Sequence, residues 1–215
     1  VPSNVEPLSL DEQLAVRRAH DRLVEEFGTS LDPETVHAVL MASWEHMDRL
    51  ARVKVHVPLL AERYARAQLW AAARMQGHRP GVPAVVFVDT NDSGRGRMAK
   101  ALFLHRAGAH GLSFSAGTDP NEALDDTVRQ VMEELGITTT EPFPKPWTRE
   151  ILQAADRLVT FSDGAPIDVP DPSVHVVWDV PDPRGLPLEQ VRAIRDQLAV
   201  LVDAVADELG VPAAG

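Results

Sequence analysis

Ala84-Val85-Val86-Phe87-Val88-Asp89-Thr90-Asn91-Asp92-Ser93-Gly94-Arg95-Gly96-Arg97-Met98-Ala99-Lys100-Ala101 is the stretch on which the reading of the chain turns. Its valine-rich start suits a strand buried inside a parallel sheet, and its end, running on into Leu102-Phe103-Leu104, has the propensity of a helix. Between them lies a short polar loop. A strand, loop and helix joined in this way leave backbone N–H groups unpaired at the helix N-terminus, a place suited to an anion or a capping side chain. This loop, however, carries the acids Asp89 and Asp92.

Outward from the loop, the chain alternates strand and helix. The pattern predicts a strand at 84–88, a helix at 96–107 and a short strand at 112–116. A helix is expected from Asn121 to Leu135, closed by Gly136, and another from Trp147 to Ala155. Strands at 157–161 and 174–178 and a closing helix at 188–209 complete the series. Such alternation means a doubly wound, four-stranded parallel α/β sheet, whose ligands sit beyond the carboxyl ends of the strands. Asp89, Ser115, Ser162 and Asp179 to Asp182 all fall at those ends.

Upstream, three amphipathic helices are expected. Ser9 with Glu12 forms a capping pair ahead of Leu14, Val16, Leu23, Val24 and Phe27, and Gly28 ends the run. Asp32 before Pro33 opens a second helix lined by Val36, Val39, Leu40, Trp44, Met47 and Leu50. A third follows Val57-Pro58, carries Leu59, Leu60, Tyr64, Ala67, Leu69, Trp70 and Met75 on its apolar side, and stops at Gly77. The Pro/Gly cluster His78-Arg79-Pro80-Gly81-Val82-Pro83 separates the two patterns. The expected division is a three-helix bundle at 1–77, a linker at 78–83 and the sheet domain at 84–215.

Composition bounds the function. The 215 residues carry 21 Lys+Arg against 32 Asp+Glu, a formal net charge of -11, which repels nucleic acid and anionic membranes. No apolar run reaches bilayer-spanning length and no secretion signal is visible, so a cytoplasmic location is expected. There is no cysteine, which removes disulfides, thiolate metal sites and thiol nucleophiles. The four histidines of the bundle, His20, His37, His46 and His56, lack the flanking carboxylates of a zinc-protease helix, and no metal site is expected. Trp44 and Trp70 read as bundle core, and Trp147 as a loop anchor or part of a partner-binding face.

Three motifs in order resemble the low-molecular-weight protein tyrosine phosphatase and arsenate reductase family. They are the strand, loop and helix at 85–101, Ser115-Ala116-Gly117-Thr118, and Trp178-Asp179-Val180-Pro181-Asp182-Pro183 with the helix containing Val191 to Asp196. The resemblance implies a C-x-x-N-x-x-R-S phosphate loop over 89–96, a general acid at Asp182 and an oxyanion fork at Arg95. It implies further contacts from Thr90, Asn91, Asp92, Ser93, Gly94, Gly96, Ser115 and Ser162. The N-terminal part, through Val57-Pro58-Leu59-Leu60-Ala61-Glu62-Arg63-Tyr64-Ala65-Arg66, resembles the bundle that precedes such domains in actinobacterial proteins, which implies a homodimer. A bundle packed on its own sheet domain is the alternative.

The departures from the family matter most. Its nucleophilic cysteine is Asp89 here, its loop asparagine is Asp92, and its thiolate-steadying serine is Gly96. Where arsenate reductases place further cysteines, this chain has Ser162-Asp163-Gly164-Ala165-Pro166. Thiol-based phosphatase or arsenate reductase chemistry is excluded. Three readings stay open. In the first, Arg95 and the loop amides receive the Asp89 side chain, an internal ion pair that fills the cradle and makes the domain a pseudophosphatase that binds or scaffolds. An aspartate at about 4 Å from a phosphate repels it by roughly 4 kcal/mol at an effective dielectric of about 20. In the second, Asp89 is itself the nucleophile of phosphoryl transfer with Mg²⁺, Asp92 assisting, as the superficial likeness of Val86-Phe87-Val88-Asp89-Thr90 to haloacid-dehalogenase-type phosphatases implies. In the third, Asp89, Asp92 and Asp182 surround a cation or a small metabolite.

Overall fold

The computed structural model describes residues 8–50, 54–77, 82–120, 124–139 and 144–214, with the side chain of Leu50 excepted. Residue contacts divide the chain into two compact units, Val1–His78 and Arg79–Gly215. The expected linker falls largely on 78–81, outside the described residues.

In the first unit, α1 spans Leu10–Phe27, α2 Pro33–Leu50 and α3 Val57–Met75. Ser9 and Glu12 form the expected capping box, and Asp32 accepts the Thr35 N–H at 2.8 Å to cap α2. Val16, Leu23, Val36, Leu40, Trp44, Leu60, Leu69 and Trp70 are buried. Leu14, Leu59 and Met75, expected on the apolar faces, are instead exposed. Glu62 on α3 is buried, and Arg22 from α1 and Arg66 both donate to it. The pairing with Arg22 leads the forces that hold its carboxyl below the usual range, against the opposing effect of burial.

The second unit is a four-stranded parallel sheet with order β2-β1-β3-β4, built from β1 (Ala84–Asp89), β2 (Leu112–Gly117), β3 (Arg157–Phe161) and β4 (His175–Trp178). Every residue of β1 is buried, so both sheet faces are covered at the centre. Val85 and Phe87 join Met98, Phe103, Val128, Val159, Trp178, Ile194 and Leu198 in one core. The helices are α4 (Arg95–Ala107), α5 (Asp126–Glu133), α6 (Arg149–Ala154) and α7 (Leu188–Glu208). Two helix starts differ from expectation. The helix α5 begins after the N-cap Asp125, which accepts the N–H groups of Thr127 and Val128, and residues 121–123 of the expected longer helix lie outside the described residues. Trp147, the expected start of α6, precedes its N-cap Thr148 and pairs as extended chain, its N–H on Gly117 O at 3.4 Å; it is half-buried. Among the described residues no helix is long and apolar enough to cross a membrane.

Candidate functional site

The topology places the 89–96 loop at the switch point, where chain order reverses on either side of β1. The loop is held from outside by backbone bonds. Thr118 and Asp119, just beyond β2, donate to Asp89 O and Thr90 O at 3.0 and 2.7 Å, and the Asp125 N–H donates to Ser93 O at 3.2 Å. Gly117 permits this approach, since a Cβ there would lie 2.9 Å from Thr90 O and 3.0 Å from Asp92 N. Asp89, Asn91, Asp92, Ser93, Arg95 and Ser115 are all buried, as are Gly94 and Gly96, while Thr90 is half-buried.

Asp89 points into its own loop. Its Oδ1 accepts the Asp92 N–H at 2.5 Å and its Oδ2 the Gly96 N–H at 3.0 Å. The carboxylate thus takes up two backbone amides of the loop and of the first turn of α4. It is 5% exposed. Burial, followed by the charge of Asp92, pushes its carboxyl up to about 6, against the pull of the two amides and of Arg95.

The expected ion pair between Asp89 and Arg95 is not formed. The Arg95 guanidinium, 2% exposed, donates to Val180 O and to the Asp163 carboxylate and lies 4.4 Å over the Phe161 ring. Asp163 is therefore a site residue that motif reading missed. The only signal for it in the sequence is its place directly after Ser162 at the end of β3. Ser162 itself is exposed and donates to Asp179 Oδ1 at 2.7 Å. Ser115 Oγ is buried with no hydrogen-bond partner among the described residues.

Asp92, expected to assist a metal, is placed otherwise. It is fully buried, with φ of 50°, and its Oδ2 accepts the Lys145 N–H at 2.8 Å and Lys145 Nζ at 3.2 Å, while Oδ1 lies 3.6 Å from Arg97 Nε. The Asp92 carboxylate is thus held between two cationic side chains inside the protein. Lys145 reaches it because the segment around Pro146 runs beside Gly117 at the end of β2. Asp182 is likewise committed, accepting Arg184 N at 3.0 Å and Arg184 Nε at 2.9 Å. Burial raises its carboxyl, but the Arg184 bonds and the charges of Arg184 and Arg95 outweigh burial and leave it lowered. Asp89, Asp92 and Asp182 each have separate partners, and among the described residues no group of three or more His, Asp or Glu is placed to hold a metal.

Two glycines show how tightly the loop is packed. A Cβ on Gly94 would meet Pro183 Cγ at 2.9 Å, so the 179–184 segment rests directly on the loop. A Cβ on Gly96 would meet Asp89 Oδ2 at 3.0 Å and Cγ at 3.2 Å. The aspartate at 89 and the glycine at 96 therefore fit as a pair, the longer acid taking room that a side chain at 96 would need. Gly96→Ser is expected to destabilise the protein by about 1–3 kcal/mol, and Asp89→Ala in the same chain to remove most of that loss. A double-mutant cycle from chemical unfolding measures the coupling, and additive effects would contradict the fit.

Residues 84–211 match the model of the low molecular weight phosphotyrosine protein phosphatases. The chain belongs to that family. A second model, the N-terminal domain of protein-tyrosine-phosphatase-like proteins, matches residues 16–73. A putative arsenate reductase of Halobacterium salinarum is 29% identical over 133 residues, covering 57% of this chain and 89% of the relative. A thioredoxin-dependent arsenate reductase of Corynebacterium glutamicum has a similar structure, with TM-score 0.73 and 25% identity over 93% of this chain and 98% of that one. An arginine phosphatase of Geobacillus stearothermophilus shares the fold, at TM-score 0.51 and 22% identity over 60% of this chain and 93% of that one. Within the family, this chain is a member without cysteine.

Proposed function

We propose that this protein is a pseudophosphatase, a binding or scaffold module whose oxyanion cradle is filled by its own Asp89. The observation that carries this reading is the pair of bonds from the Asp92 and Gly96 amides to the two Asp89 oxygens. Arg95, the residue that would grip a phosphate or arsenate, is committed to Val180 O and Asp163, and Asp182 is committed to Arg184. All three are then structural groups rather than catalysts. A nucleophilic Asp89 would have to give up the amide bonds of Asp92 and Gly96 that hold both of its oxygens, which is why phosphoryl transfer is the weaker alternative.

The N-terminal bundle is the part proposed to meet a partner, through association of two copies, since Leu10 and Leu14 on α1 share an exposed apolar strip at helical spacing. The two-part division at residues 78–83 belongs to the same proposal. The test is turnover. Purified protein is incubated with aryl phosphates, phosphotyrosine and phosphoarginine peptides, with and without Mg²⁺, and with arsenate plus a thiol reductant, beside Asp89→Asn. No turnover above the variant is expected, and turnover that depends on both Asp89 and metal would overturn the proposal.

A further inference from the structure

We propose that Asp163 is an internal latch that competes with tetrahedral oxyanions for Arg95, so that admission to the cradle is controlled at two carboxylates and not at Asp89 alone. This rests on the filled-cradle reading and extends it to a residue outside the phosphate-loop motif. A tetrahedral oxyanion in such a loop needs two sets of donors, the backbone amides and an arginine fork. Here two different carboxylates satisfy the two sets. Asp89 takes the amides of Asp92 and Gly96, and Asp163 takes Nη2 of Arg95.

The two blocks differ in how readily they can be removed. Asp89 is buried in the loop and joined to it by two bonds, so its side chain has nowhere to go. The Asp163 side chain is 53% exposed, against 2% for that of Arg95. It stands on the turn after β3 in which the Gly164 N–H donates to Phe161 O at 2.9 Å. Swinging into water, the Asp163 carboxylate regains its hydration. Arg95 meanwhile keeps Val180 O and its place over the Phe161 ring, so the guanidinium stays in position with one edge open. Asp89 thus acts as the fixed filler and Asp163 as the removable one.

Isothermal titration with inorganic phosphate, on wild type, Asp89→Asn, Asp163→Asn, the double variant Asp89→Asn/Asp163→Asn, and the charge-matched control Asp89→Asn/Asp179→Asn, tests the latch. Thermal melts establish that each variant is folded. Wild type and Asp163→Asn are expected not to bind, Asp89→Asn to bind weakly, and the Asp89/Asp163 double variant to bind about tenfold tighter than Asp89→Asn, the scale set by one freed charge-assisted donor. The Asp89/Asp179 control is expected to behave as Asp89→Asn. Equal affinity for Asp89→Asn and the Asp89/Asp163 double variant, an equal gain in the Asp179 control, or no binding by any folded variant would overturn the latch and leave the pseudophosphatase reading standing. Phosphate binding by wild type would instead overturn the filled cradle itself.

Discussion

Replacing Asp89 by asparagine is expected to remove a loss of about 3 kcal/mol in stability that wild type undergoes as pH rises from about 4 to above 6. The folded-state carboxyl is raised from 3.8 to about 6. A group raised in the folded state favours folding most when both states are protonated, below the unfolded value. That contribution is lost as pH climbs through the folded value, because the unfolded chain ionises first. The difference of roughly two pH units sets the magnitude. Asparagine keeps an oxygen for one loop amide and turns its NH₂ towards the other, a cost that does not vary with pH. Glu62 and Glu134 are lowered and act in the opposite sense, adding stability that is lost as pH falls, but they are present in both proteins and cancel in the comparison. Urea unfolding across this range should show the variant gaining steadily on wild type. A pH-independent difference would mean that Asp89 is not buried as a charge among these partners.

Asp92→Ala is expected to cost roughly 3–5 kcal/mol, the scale for removing one member of a buried ion cluster. Arg97 is almost wholly buried, and only 17% of the Lys145 side chain is exposed. Without Asp92 both lose a carboxylate in a medium that solvates them poorly. Asp92→Asn should cost clearly less, because it retains an acceptor for the Lys145 N–H, and asparagine tolerates a φ of 50°. The same variant should move the Asp89 midpoint downward, since the Asp92 charge is the second cause of its elevation. Equilibrium unfolding gives the first result, and carboxyl titration by NMR the second. A loss below about 1 kcal/mol for Asp92→Ala would show the cluster to be dispensable.

The path from sequence to site was uneven for physical reasons. Valine-rich β1, the Ser9–Glu12 cap and the alternation of strand and helix are local signals, and the structure bears them out. Asp89 and Arg95 were identifiable from the order of motifs, which is also local. Their partners were not. Glu62 belongs by pattern on a solvated face, and only the arrival of Arg22 from another helix makes its burial favourable. Asp92 reads as a turn residue until Lys145, 53 positions later, is brought beside it. Nothing in the spacing of Asp163 announces that it will meet Arg95 across 68 positions.

The sequence by itself determined the parallel α/β sheet, the three-helix region ahead of it, the family and the loss of thiol chemistry, because each follows from periodicity, capping or residue identity along a short window. Only the tertiary structure decided what the acids of the loop do. It gave Asp89 to the amides, Asp92 to Lys145 and Arg97, and Arg95 to Asp163 and Val180 O. A charged group's role depends on which opposite charges and donors lie within a few ångströms after burial, and chain separation carries no record of that distance.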